Sequence, residues 1–262
     1  TRTITFNDNL GSSTPTTQKI TVGSPTNLTP NGFSYTDDTK SFVGWTTVDN
    51  PTDKTIEYKD GSSVTLTGDD ATDITNLYAQ WGIPCTVHFK ANYPEGATGT
   101  SGSMNDLVVG KGFKTPINNG YLYTGHTFKG WNTQPDGTGV QYDANSISLD
   151  DSYAEDEITL YAQWETNKYT ITYMSENGSS TIATVQCDYG KKPDTPTPEP
   201  TKAPTETVVY TFDGWSTAKD SQGTALTSIP ETTGNATYYA HFTPSTRYYT
   251  VSATANPTAG GT

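Results

Sequence analysis

The chain has 262 residues, a net charge of −13 from 15 basic and 28 acidic side chains, and only 31% apolar residues. This charge argues against nucleic acid and anionic membranes as partners, and no segment approaches the roughly 18 apolar residues of a membrane-spanning helix. The modest apolar content disfavours one large core and suits several small ones. Abundant threonine and tyrosine, with little lysine and glutamate, indicate strands rather than helices.

Three short segments that alternate threonine with apolar residues are predicted to open three modules. They are residues 3–6 (TITF), 86–89 (TVHF) and 170–173 (TITY). Alternation with a period of two is typical of a strand with one buried face. We therefore expect Ile4 and Phe6, with their counterparts in the other segments, to face a core.

An aromatic-x-Gly-Trp tetrad follows each opening segment. The tetrads are residues 42–45 (FVGW), 128–131 (FKGW) and 212–215 (FDGW). In a regular strand Phe42 and Trp45 would face opposite sides of the sheet. The glycine between them either forms a bulge that turns both rings inward or gives the Trp ring a flat backbone to lie on, and the bulge is favoured. Trp45, Trp131 and Trp215 are accordingly predicted to be buried.

A closing strand ends each module. These strands are residues 77–81 (LYAQW), 160–164 (LYAQW) and 238–242 (YYAHF), and together with the tetrads they contain all five tryptophans of the chain. Leu77, Ala79 and Trp81 should share one face of the strand, with Tyr78 on the other. The intervals between landmarks carry turn signals rather than helical periodicity.

These landmarks divide the chain into tandem modules with short joints. We predict a first module over residues 1–83, a second over 84–166 and a third, diverged module over 167–244. Residues 245–262 are predicted to be the truncated start of a fourth module. Because the joints are short, the modules should form an elongated, semi-stiff array. The abrupt start at Thr1 and the end in mid-pattern indicate a piece of a longer protein.

The order and composition of the landmarks resemble the Listeria–Bacteroides repeat, the family of the internalin B-repeat. The resemblance covers nearly all of residues 1–244, and residues 131–133 (WNT) followed by 136–139 (DGTG) are especially typical. The third copy departs from the pattern, with Phe242 in place of the closing Trp and a Pro-rich insert over residues 193–204. The resemblance implies a mainly β fold of small β-grasp-like modules, found in tandem on bacterial cell surfaces. It implies no ligand.

Residue types that carry catalysis do not recur at shared positions of the modules. His88 occupies a slot that holds threonine in the other modules and His241 a slot that holds glutamine, so both are predicted to be solvated surface residues. No Ser-His-Asp set or metal-binding pair of His or Cys is evident. We therefore assign no catalytic, cofactor-binding or metal residue and expect no enzyme.

An acidic run and two cysteines complete the candidates. Asp150, Asp151 and residues 155–157 (EDE) are predicted to form a solvated loop, because a calcium loop needs oxygens that converge through a tight turn. Whether this run binds a cation is left open by the sequence. Cys85 and Cys187 fall in different modules and are predicted to be unpaired.

Together these features favour a non-catalytic repeat region of a bacterial cell-surface, cell-wall or secreted protein. It would act extracellularly as a spacer and as a protein-interaction segment in adhesion, beside neighbouring domains of a longer chain. Its partner would be a host or matrix protein or a glycan, without nucleic acid, membrane insertion or a cofactor. The alternative is a carbohydrate-binding module that stacks sugars on exposed tyrosines, namely Tyr78, Tyr161 and Tyr239.

Overall fold

The computed structural model describes residues 1–253, and the chain divides into two compact units. The first unit, Thr1–Glu165, holds the first and second modules, and the second unit begins at Thr166 and holds the third. All regular elements in the described residues are strands, which confirms the mainly β prediction. Over the same residues, no helix is long and apolar enough to cross a membrane.

Nineteen strands are distributed over the three modules. The first module contains β1 (Arg2–Asn7), β2 (Thr16–Ile20), β3 (Thr26–Asn27), β4 (Ser41–Thr46), β5 (Ser63–Val64) and β6 (Asn76–Gly82). The second contains β7 (Pro84–Lys90), β8 (Thr100–Gly102), β9 (Leu107–Gly110), β10 (Lys114–Pro116), β11 (Tyr121–Tyr123), β12 (His126–Asn132), β13 (Gln141–Tyr142), β14 (Ser146–Ser148) and β15 (Glu157–Thr166). The third contains β16 (Lys168–Met174), β17 (Thr181–Asp188), β18 (Val208–Ser216) and β19 (Ala236–Thr246).

Each module is built on a mixed sheet with the same strand order. The sheets read β2-β1-β6-β4, β9-β7-β15-β12-β13 and β17-β16-β19-β18, so the opening and closing strands always lie side by side at the centre. These central pairs are parallel, and β2, β9 and β17 each pair antiparallel with the opening strand of their module. Parallel neighbours need a crossover connection, commonly a helix. Here the crossover consists of turns and short strands, which gives a β-grasp-like sheet without a helix in the described residues.

The central pair keeps one register in all three modules. Phe6 lies opposite Leu77, Phe89 opposite Leu160, and Tyr173 opposite Tyr238. The inward residues of the opening strands are buried, as the alternation predicts, and they are Ile4, Phe6, Val87, Phe89, Ile171 and Tyr173. A period-two pattern therefore sets both the buried face and the register.

The tetrad contains the predicted bulge. The register of β4 against β6 shifts between Phe42 and Gly44, and β18 against β19 shifts in the same way between Phe212 and Gly214. Gly44 has a φ of 145°, and a Cβ at this position would lie 2.3 Å from Cγ2 of Ile56. The extra residue brings the rings of Phe42 and Trp45 onto one side, 4.8 Å apart at their centroids. The prediction of inward-facing rings and buried tetrad tryptophans is confirmed.

Each module has its own hydrophobic core, centred on its tetrad tryptophan. Trp45 packs with Ile4, Phe6 and Leu77 in the first module. Trp131 and Trp215 have equivalent surroundings in the second and third modules. In the part of the chain that the structure describes, each of these three cores is built from residues of one module, as the composition predicts.

The third closing strand is longer than the sequence predicts. Pairing between β18 and β19 continues to Val208 opposite Thr246, so residues 243–246 extend the sheet beyond the predicted closing strand of residues 238–242. Half of the predicted fourth module over residues 245–262, namely residues 254–262, lies outside the described residues. Residues 247–253, which are described, form no strand.

Candidate functional site

The first and second modules meet in a packed junction around the single residue Ile83, which separates β6 from β7. Val43 and Ile56 from the first module and Phe113 from the second form a buried apolar cluster. Gly82 and Gly110 make the close approach that this packing requires. A Cβ on Gly82 would lie 3.0 Å from Cα of Gly110, and one on Gly110 would lie 2.8 Å from Cγ1 of Val43.

Backbone hydrogen bonds strengthen the same junction. The amide of Ile56 donates to the carbonyl of Lys114 at 2.9 Å, and the amide of Lys114 donates to the carbonyl of Lys54 at 3.0 Å. The amide of Lys111 donates to the carbonyl of Ile83 at 2.8 Å. Directional bonds together with apolar burial define one docked arrangement, so the joint is stiffer than its length alone implies.

The second tetrad residue distinguishes this junction from the rest of the chain. Val43 is buried there, whereas Lys129 at the equivalent position forms an ion pair with Glu165, at 3.0 Å between Nζ and Oε2. Asp213, at the equivalent position of the third module, contacts His241. The sequence analysis did not predict the junction, because only one of the three tetrads has an apolar residue at its second position. The apolar Val43 at a position that is charged in the other two tetrads was the available signal.

The acidic run does not converge on one point. Asp151 pairs with Lys54 of the first module at 3.4 Å, and Asp156 pairs with Lys111 at 3.3 Å. Hydrogen bonds from the side chain and backbone of Ser152 lower the pKa of Asp150. Within residues 1–253, no group of three or more His, Cys, Asp or Glu side chains is arranged to hold a metal ion. The run supplies an ion pair across the junction rather than an assembled cation cage.

His88 and His126 lie at the surface in different settings. The His88 ring is half-buried, and its Nδ1 lies 2.9 Å from Oδ2 of Asp106 and its Nε2 3.7 Å from Oε2 of Glu157. His126 stacks on Tyr123 with a centroid distance of 3.7 Å. Neither ring belongs to a nucleophile-base arrangement.

The prediction that His241 is a solvated surface residue is wrong. His241 is buried, and its Nδ1 lies 2.6 Å from Oδ1 of Asp213. The slot faces the tetrad glycine across the strands, and Gln80 in the same slot of the first module is also buried. Burial raises the pKa of Asp213, but hydrogen bonds from Thr243 and His241 outweigh it and leave this pKa lowered. Nε2 of His241 is buried without a hydrogen-bond partner.

A second polar cluster occupies the third module beside the Pro-rich insert. Glu176 accepts hydrogen bonds from Lys202 of the insert and from Ser221. Burial raises the pKa of Glu176, and the bonds from Lys202 and Ser221 more than reverse that effect. The cluster borders an open cavity of about 690 Å³ that the hydroxyls of Ser175, Ser179 and Thr201 also line. The insert is therefore tied by an ion pair to the turn between β16 and β17.

The tyrosines predicted to stack on sugars are less accessible than fully exposed surface residues, and so are the two cysteines. Tyr78, Tyr161 and Tyr239 are half-buried, so only part of each ring is open to a ligand.

Cys85 and Cys187 are free thiols, and both are buried. Burial raises the pKa of Cys85, which disfavours the thiolate that nucleophilic chemistry needs.

Comparison with known sequences assigns the chain to a class of repeat proteins. The Listeria-Bacteroides repeat domain matches residues 86–163 and 169–241, which together are more than half of the chain. The chain therefore belongs to the Listeria-Bacteroides repeat family. The two matched stretches are the second and third modules.

Two relatives come from the bacterium Evansella cellulosilytica. One, described as a "Putative Gly-rich membrane protein", is 33% identical over 177 residues, which are 67% of this chain. The other, described as a "Putative membrane protein", is 28% identical over 145 residues, which are 55% of this chain. The matched region spans 19% of the length of each relative.

Proposed function

We propose that this chain is a non-catalytic repeat region of a bacterial cell-surface or secreted protein, where it acts as a spacer and as a protein-interaction segment in adhesion. The observation that carries the proposal is repetition. The same sheet order, central register and tetrad tryptophan recur along the chain, while the loops between them differ. Added copies increase reach, and variable loops on a constant scaffold suit partner recognition.

We further propose that residues 1–83 are a third copy of the family repeat, related to the internalin B-repeat. Their sheet order matches that of the two modules that the family comparison covers. The tetrad bulge of β4 also matches that of β18. A shared order, register and bulge are difficult to explain by composition alone.

An extracellular location is part of the proposal. It is supported by the family, and by relatives that are described as membrane proteins and are far longer than the matched segment. The net charge of −13 would also favour solubility and repulsion between neighbouring copies.

Deletion of the second module from the parent protein tests the proposal in cells. Two strains are compared, one with residues 84–166 deleted and one with an unrelated rigid domain of similar size in their place. If the segment is a spacer, antibody access to the region farthest from the envelope falls on deletion and returns with the replacement. If it also binds a partner, adhesion is lost in both strains. Unchanged access and unchanged adhesion in the deletion strain would contradict both roles.

A further inference from the structure

An open cleft of about 730 Å³ lies beside the junction of the first and second modules. Both modules contribute to its lining, which includes Asn9, Tyr35, Lys40, Lys54, Trp81 and Lys111. We propose that this cleft binds an acidic saccharide chain. A spacer needs no such ligand, so the inference goes beyond the spacer role and gives the proposed interaction role a site and a ligand class.

The charge of the cleft is opposite to that of the chain. Three lysines line it, and Asp151 is the one carboxylate among its lining residues. Lys111 is buried and paired with Asp156, which is not among the lining residues, so Lys40 and Lys54 are the lysines open to a ligand. The chain as a whole carries 15 basic and 28 acidic groups, so a lining with more lysines than carboxylates is distinctive. The side chains of Lys54 and Asp151 are 50% and 71% exposed, which makes their ion pair weak and open to exchange for a ligand carboxylate.

The remaining lining suits sugar rings and hydroxyls. Tyr35 and Trp81 are half-buried, with ring centroids 5.7 Å apart, and the ammonium of Lys40 lies 5.2 Å from the Tyr35 centroid. This arrangement places apolar ring surface beside a cation. The amides of Asn9 and Asn50 each offer donors and an acceptor, as hydroxyl partners require. A carboxylate-bearing sugar presents apolar ring faces, hydroxyls and negative charge together.

The backbone of the lining is also unusual. Asn9, Asn50 and Lys54 have φ angles of 57°, 50° and 48°. They are three of the six non-glycine residues with positive φ in the part of the chain that the structure describes. Asparagine tolerates this region, but a long side chain such as lysine adopts it rarely, and such conformations concentrate at ligand sites. The conformation of Lys54 is fixed beside the junction, where its carbonyl accepts from the amide of Lys114.

Titration calorimetry of the whole chain tests the proposal with three probes. The probes are tetragalacturonate, its methyl ester, which keeps the rings but loses the charge, and hexaglutamate, which carries more negative charge but lacks the rings. We expect saturable binding of tetragalacturonate that weakens as salt is added, and at least about tenfold weaker binding of the other two.

Matched variants locate the binding. Lys40→Gln combined with Lys54→Gln should weaken tetragalacturonate binding about tenfold or more, because charge-assisted hydrogen bonds are lost while side-chain length is largely kept. Lys90→Gln removes the charge of an exposed lysine from the same unit and should leave binding unchanged. Tyr35→Ala should also weaken binding, and thermal unfolding of each variant shows whether the fold is kept. If Tyr35→Ala does not fold, the lysine variants still decide the question.

Several outcomes would overturn the proposal. They are absence of saturable tetragalacturonate binding at millimolar concentrations, equal binding of the methyl ester, or lysine variants that bind as well as the unmodified chain. Binding of hexaglutamate as tight as that of tetragalacturonate would instead indicate an acidic protein partner. Each outcome leaves the antibody-access test of the spacer role unaffected, so the two proposals fail separately.

Discussion

The indole N–H of Trp81 donates a hydrogen bond of 2.8 Å to the carbonyl oxygen of Asp8, two residues beyond the opening-strand Phe6. Trp164 makes the same bond, also at 2.8 Å, to the carbonyl of Ala91 at the equivalent position of the second module. In these two modules the bond ties the closing strand to the segment that follows the opening strand. In the third module Phe242 has no such donor, and the carbonyl of Ser175 accepts from the amide of Gly178 instead.

Trp164→Phe should therefore destabilise the second module. The substitution removes the hydrogen-bond donor to the carbonyl of half-buried Ala91 and also reduces ring area, so we expect a loss of about 1–3 kcal/mol in the free energy of unfolding. Urea unfolding followed by the fluorescence of the remaining tryptophans measures the change. Val140→Ala, at a side chain that is 60% exposed, is the control. Equal stability of the two variants would show that the indole bond contributes nothing.

Local periodic features of this fold could be predicted from sequence, and contacts between distant segments could not. Alternation in the opening strands and the glycine of the tetrad fix strand faces and the bulge, because both act over a few residues. The pairing of Lys54 with Asp151 joins residues that no local pattern links. The burial of His241 was missed for another reason. A polar residue type shows that a slot is polar, but it does not show how deeply the slot lies.

The Asp213–His241 contact yields a second prediction. Asp213→Ala leaves His241 buried without its 2.6 Å partner, so the unit that begins at Thr166 should lose about 1–3 kcal/mol of stability. His241→Gln installs the residue found in this slot of the other two modules and should cost less. Urea unfolding of the two single variants and of the double variant measures the coupling between the positions. Additive effects would contradict an interaction between them.

Asp8 predicts a pH dependence of stability. Its buried carboxylate accepts hydrogen bonds from the backbone amides of residues 10–13 and from the hydroxyl of Ser12. Burial raises the pKa of Asp8, but these bonds outweigh it and hold the pKa well below its usual range. A carboxylate whose pKa is lowered on folding stabilises the protein above its unfolded pKa of about 3.9, and the contribution is lost as pH falls through the lower folded pKa.

Asp8→Asn should consequently destabilise the first unit most at neutral pH. We expect the free energy of unfolding to fall by about 1–3 kcal/mol at pH 7. The Asn side chain carries an NH₂ donor in place of one of the two acceptor oxygens of the carboxylate. The difference from the unmodified chain should narrow once the pH falls below about 4. Urea titrations at pH 7, 5 and 3 measure it. A difference that stays constant over this range would show that the charge of Asp8 is not the cause.

The junction between the first two modules gives the last prediction. Val43→Asp places a carboxylate in the buried cluster with Ile56 and Phe113. The ammonium of Lys54 lies 5.7 Å from the Phe113 centroid, but it is already paired with Asp151. The free-energy cost of burying an unpaired charge exceeds the favourable free energy of docking the two modules. We therefore expect the modules to separate while each keeps its own sheet. Val48→Asp, at a side chain that is 57% exposed, introduces the same charge without this effect.

Nuclear magnetic resonance of the whole chain distinguishes the outcomes. In Val43→Asp, the amide signals of Gly110 and Phe113 should move toward their positions in an isolated fragment of residues 84–166, while signals from the core around Trp131 stay in place. That fragment should give a dispersed spectrum, because the buried core around Trp131 is formed by residues of the second module alone. A disordered fragment would show that the second module depends on the junction for its fold. Unchanged Gly110 and Phe113 signals in Val43→Asp would show that the backbone hydrogen bonds of the junction suffice to hold the two modules together.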